Sequence, residues 1–136
     1  MKKYEVVKEH KDFDEIIEKG KYIKSKNFVI YNKDSKNDFP RFGIAVGKKV
    51  GNAVTRNKLK RQFRMLLTTN KNLFSNNKDY IIIVKRSSLM SSYQDLDIEL
   101  KKIMENRWYN EKENSSCICY HFININWMYQ IFNGWW

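Results

Sequence analysis

One run constrains the fold more than any other, DYIIIVK at residues 79–85. Its centre is continuously apolar, without the alternation of a strand that has one wet face, so it reads as a strand covered on both sides. Upstream, across a polar connection at 68–78, lies a helical pattern, and before that another strand-like run, FGIAVG at 42–47. Strand, helix, strand implies a crossover, and hence a mixed α and β fold.

The other segments supply the remaining elements. In KDFDEIIEK, residues 11–19, Phe13, Ile16 and Ile17 fall at i, i+3 and i+4 with Gly20 following, which predicts a short amphipathic helix with a glycine stop. NFVIYNK at 27–33 is β-branched and aromatic, and the polar stretch at 33–40 separates it from the run at 42–47; the two are expected to pair as an antiparallel hairpin. Residues 21–24 predict a short edge strand. After the serines at 87, 88, 91 and 92, a last helix follows from Leu96, Leu100, Ile103 and Met104, ending near Trp108.

Charge is distributed unevenly. Lys and Arg outnumber Asp and Glu by 26 to 15, a formal +11, which predicts attraction to polyanions. Seven of the 17 residues at 48–64, KKVGNAVTRNKLKRQFR, are basic and none is acidic. A helix from about Asn52 to Leu67 would place Leu59, Phe63, Leu66 and Leu67 on one side and Arg56, Asn57, Lys58, Lys60, Arg61 and Arg64 on the other. Arg56, Lys60 and Arg64 recur every four residues, about 6 Å apart along the axis, a spacing suited to successive phosphates. Lys58 points furthest from that stripe. Gly47 and Gly51 bracket Lys48, Lys49 and Val50 and loosen the chain before the helix, whose N-terminal amides add to the positive corner.

Several function classes recede. The N-terminal run has no apolar h-region, so no secretory signal is expected and a cytoplasmic location is. Cys117 and Cys119 are too close for an ordinary disulfide and too few for a zinc site, so no metal site is expected. Residues 114–136 contain no Lys, Arg, Asp or Glu and three of the four tryptophans. His121, Asn124, Asn126 and Gln130 interrupt them, so a membrane-spanning helix is not expected, and membrane contact by this tail is not the favoured reading. No catalytic constellation emerges: a two-metal nuclease needs convergent carboxylates, and Asp12, Asp14, Glu15 and Glu18 read as a solvated, dipole-favoured helix face.

The run GIAVGKKVGNAVTRNKLKRQFR resembles the signature of the bacterial ribonuclease P protein family. KDFDEIIEKGK resembles that family's N-terminal helix, NFVIY and Arg41 with FGIAVGKK its next strands and lysine pair, and DYIIIVKRS the strand after the basic helix. The likeness covers about residues 3–107, which implies a domain at 1–108 and an atypical tail at 109–136. It implies an α+β fold, a two-layer sandwich of order αβββαβα with a left-handed βαβ crossover, against the usual hand, like ribosomal protein domains and domain four of elongation factor G.

The resemblance also implies a role. Such a protein is the accessory subunit of a ribonucleoprotein endonuclease: it binds ribonuclease P RNA, which does the chemistry with bound Mg2+, and assists removal of the 5′ leader from precursor tRNA. No residue of the chain is then catalytic. Arg56, Asn57, Lys58, Lys60, Arg61 and Arg64 would meet the catalytic RNA. Phe13, Ile17 and Tyr31, with Lys48 and Lys49 at the mouth, would form the cleft for the single-stranded leader. Ile17 stands where relatives often carry an aromatic, and Met65 where they often carry an acidic or polar residue. The alternative is a ribosome- or translation-associated RNA-binding module of the same fold.

Overall fold

A computed structural model describes residue 2 and residues 5–114, with side chains described through residue 106. The elements run α1 His10–Lys19, β1 Lys21–Lys24, β2 Phe28–Asp34, β3 Arg41–Val46, α2 Ala53–Thr69, β4 Lys78–Val84 and α3 Tyr93–Asn114. This is the expected order αβββαβα in an α+β fold. The sheet and its packing belong to the compact unit Met1–Met104. Helix α3 passes the expected end at residue 108 and continues to Asn114 through a stretch without Gly or Pro. The cysteines and the aromatic-rich segment at 115–136, on which the readings of disulfide, zinc site and membrane contact fall, lie outside the described residues.

The four strands lie in the order β1-β2-β4-β3. The expected hairpin between β2 and β3 is therefore wrong: β4 lies between them, antiparallel to β2 and parallel to β3. The cause is the apolar run itself. Tyr80, Ile82 and Val84 are buried on one face and Ile81 on the other, so β4 needs cover on both and takes the centre. The linker at 35–40 is long enough to step over one strand, about 10 Å. The true hairpin is β1 with β2, from Lys21 opposite Asn32 to Lys24 opposite Val29.

The larger core lies on the face covered by α2 and α3. Leu59, Phe63, Leu66 and Leu67 of α2 and Leu96, Leu100 and Met104 of α3 pack on Phe28, Ile30, Phe42 and the β4 residues. Phe28 meets Phe63 edge-on at 5.6 Å, and Phe42, Phe74 and Tyr80 form a second aromatic group with ring centres 4.9 to 5.7 Å apart. Glu99 of α3 ties the β1–β2 turn to this layer, accepting from the Asn27 amide at 3.1 Å, from Asn27 Nδ2 at 2.6 Å and from the Ser25 hydroxyl. The smaller core, beneath α1 on the opposite face, joins Val7, Ile16 and Ile81.

Gly20 ends α1 for a reason different from the expected one. Its φ is −79°, not left-handed. A β-carbon there would collide with the Ile16 carbonyl oxygen and lie 2.8 Å from that of Asn32, so glycine is needed for close approach of helix and strand.

Near the N-terminus, Val7 donates to the Phe42 carbonyl at 3.0 Å, covering the outer edge of β3. Buried Glu5 accepts from Lys71 at 2.5 Å, chiefly because of which its pKa lies below the ordinary glutamate value of 4.5. A depressed carboxylate stabilises the fold above its unfolded pKa, and that contribution is lost as pH falls through the folded value. Glu5→Gln should therefore lower stability near neutral pH. In urea melts taken from neutral to acid pH, the gap to the parent protein should close below 4.5.

Candidate nucleic-acid interface

Helix α2 begins at Asn52, whose side chain accepts from the Thr55 amide at 2.9 Å. Ahead of it, residues 47–51 are more ordered than their glycines suggested. Lys48–Val50 is a 3-10 turn, closed by the Val50 amide on the Gly47 carbonyl at 3.0 Å and anchored by the buried Val50 side chain. Lys48 and Lys49 on it are exposed. They stand at the end of β3, where the chain turns from the sheet into α2.

The burial of Leu59, Phe63, Leu66 and Leu67 sets the rotation of α2 about its axis. At 100° per residue, Asn57, Lys58, Arg61 and Arg64 then point away from the sheet, and all four are exposed. Arg56 and Lys60 lie on the shoulder of the buried face and are half-buried. The evenly spaced stripe Arg56, Lys60, Arg64 is thus not the outermost line. Lys58, which seemed the outlier, shares a shallow depression with Val54, Asn57, Arg61 and Gln62.

None of the five α2 bases has an acidic partner within 4 Å among the described residues, and the Arg56 Nε lies buried without a hydrogen-bond acceptor. The acids are committed elsewhere. Arg41 grips Asp79 with two bonds, at 2.8 and 2.5 Å, and reaches Asp12 of α1 at 3.3 Å; these carboxylates hold the guanidinium charged. Lys33 pairs with Glu15 of α1 at 2.6 Å. Asp12 and Glu15, read from sequence as solvated, are instead half of the ionic seam that pins α1 to the sheet.

The strand registers order the α1 face into three rows. Lys33, Asp79 and Arg41 form the charged row under this seam. Tyr22, Tyr31, Ile81 and Gly43 form the middle row, and Lys24, Val29, Ile83 and Ala45 the third. Phe13 lies over Gly43, and Phe13, Ile17, Tyr31 and Ile83, all half-buried, surround the small core. The three expected cleft residues are thus brought together, while Val29, Ile83 and Ala45 beside them are also half-buried. Lys48 and Lys49 follow the end of this open row on β3. Sequence reading missed Tyr22, Lys24 and the Arg41 seam; alternation in KYIK was the one signal for the first two.

A sheet with a helix over one face whose bases have no acidic partner among the described residues, and on the other face an aromatic row beside a half-open apolar one, is the build of a nucleic-acid-binding α+β protein. A family model described as Ribonuclease P matches residues 1–107. The ribonuclease P protein component of Mycoplasma mycoides subsp. mycoides is 45% identical over 106 residues, covering 77% of this chain and 97% of the relative. Among solved structures, a Staphylococcus aureus RNase P protein mutant aligns with a TM-score of 0.71 at 32% identity, over 77% of this chain and 89% of its own. The Thermotoga maritima RNase P protein aligns at 0.68 and 26% identity, over 75% and 96%. The chain belongs to the ribonuclease P protein family, as the protein subunit of a ribonucleoprotein endoribonuclease whose partner is ribonuclease P RNA.

Gly43 tests how Phe13 packs on the sheet. A β-carbon there would stand 2.7 Å from Phe13 Cε2, so Gly43→Ala must push the ring outward. Overpacking of this kind should cost about 1–3 kcal/mol in urea denaturation. The Phe13 ring resonances should shift while the α2 amide resonances hold.

Proposed function

We propose that α2 carries the contact with ribonuclease P RNA through Arg56, Asn57, Lys58, Lys60, Arg61 and Arg64. The opposite sheet face, with Phe13, Ile17, Tyr31, Lys48 and Lys49, receives the single-stranded 5′ leader of precursor tRNA. The observation that carries this reading is the separation of the two surfaces by the sheet. A strand seated on the open row leaves the exposed side of α2 free, so enzyme RNA and substrate need not compete. Lys48 and Lys49, at the end of the sheet, adjoin both.

Stacking on Tyr31 and Phe13 accepts any base, which suits a leader of variable sequence. Among the described residues the α2 cations have no carboxylate partners, so phosphates would replace water and counterions there and not protein carboxylates. Mg2+ is assigned to the RNA. Among the described residues no cluster of His, Cys, Asp and Glu is disposed to hold a metal, and the carboxylates nearest the cleft are engaged by Arg41 and Lys33. The protein would act by lowering phosphate repulsion and adding substrate affinity, which reduces the Mg2+ demand of the RNA. This work is assigned to the cytoplasm; no described helix is long and apolar enough to cross a membrane.

Added to a bacterial ribonuclease P RNA at low Mg2+, the protein should stimulate precursor tRNA cleavage; absence of stimulation sinks the reading. Copurification of ribosomal RNA in its place would favour a translation-associated module. Arg61→Ala and Arg56→Ala should each weaken binding to the enzyme RNA and reduce the slope of log affinity against log salt by about 1. An unchanged slope removes that residue from the contact.

A further inference from the structure

We infer that β1 extends the leader platform beyond the cleft, Tyr22 offering a second stacking face and Lys24 a phosphate contact at the outer edge of the sheet. The inference rests on the leader reading above and adds a subsite to it.

Tyr22 pairs directly with Tyr31 across the β1–β2 ladder, so both side chains stand on the α1 face. Their ring centres are 5.6 Å apart with planes 38° from parallel, which makes one continuous, slightly folded aromatic surface. Tyr31 is half-buried against the small core, but Tyr22 is 56% exposed. Its exposed area is available to a ligand without rearrangement.

Lys24, two residues on and on the same face, holds its ammonium 5.4 Å from the Tyr22 ring centre. It has no acidic partner within 4 Å among the described residues. It also ends the open row that runs through Val29 and Ile83 to Ala45, beyond which come Lys48 and Lys49. Three strand spacings, about 14 Å, separate the ends of that row. An apolar strip flanked by the Tyr22–Tyr31 pair, with cations at both ends that have no acidic partner among the described residues, fits a polyanion laid across the strands with its bases against the sheet. A single RNA strand has that chemistry, and a duplex, whose bases are stacked inward, does not.

The holoenzyme, reconstituted with ribonuclease P RNA, tests this with precursor tRNAs carrying progressively shorter leaders. Tyr22→Ala should weaken binding of long-leader substrates between about fivefold and a hundredfold, the range for losing one stacked base. Tyr22→Leu, which keeps bulk against Tyr31 but lacks a π-face, should lose nearly as much, and Tyr22→Phe little. These losses should vanish once the leader is too short to reach β1. Lys24→Gln should reduce the salt slope for long leaders by roughly 0.7.

Loss of affinity with Tyr31→Ala but none with Tyr22→Ala or Tyr22→Leu overturns the extension and leaves the cleft intact. A Tyr22 loss that is equal at every leader length also overturns it, because the effect then passes through Tyr31. If neither tyrosine matters, the leader reading fails, and the subsite with it. Aggregation of Lys24→Gln with an unchanged salt slope would mark this lysine as a guard against edge-to-edge pairing, and would remove it from the subsite.

Discussion

Burial of β4 on both faces is the constraint on which the rest depends. Because Tyr80, Ile82 and Val84 need one cover and Ile81 another, the strand is driven to the sheet's interior and two cores form back to back. The larger core fixes the rotation of α2, and that rotation decides which bases face outward. The smaller core seats α1, and the limited length of α1 leaves one row of the sheet half-open. Two surfaces with different chemistry, one cationic and one aromatic, follow from the demands of a single apolar run.

Charge reinforces the division. Ion pairs concentrate where the protein has to hold itself together: Arg41 with Asp79 and Asp12, Lys33 with Glu15, Lys71 with Glu5. These fasten α1 and the N-terminal segment, and they consume acids that could otherwise neutralise α2. Among the described residues the charge of the basic helix is left uncompensated by acids. If α2 meets the RNA as proposed, folding and binding draw on separate sets of charges.

Much of this was legible from residues alone. The α2 face was fixed by Leu59, Phe63, Leu66 and Leu67, since 3.6-residue periodicity is a local property, and the motif around RNKLKRQFR pointed to the family. Strand neighbours were not legible. Nothing local to NFVIY and FGIAV says that the later strand Lys78–Val84 will slip between them, because sheet order is decided by which strand most needs burial. Nor could the acids of α1 be told from a solvated face, as their partners Arg41 and Lys33 come from other strands.

The amino-acid sequence by itself determined the inventory: seven elements in order, a cationic amphipathic helix, a doubly apolar strand and membership of the ribonuclease P protein family. Periodicity, turn chemistry and motif spacing are all short-range, so they can be read along the chain. Tertiary structure alone decided the sheet order and the register that aligns Lys24, Val29, Ile83 and Ala45. It also placed Tyr22 beside Tyr31, and the basic and aromatic surfaces on opposite sides of the sheet. Those features depend on competition among distant segments for a limited amount of buried surface, and that competition is settled only when the whole chain packs.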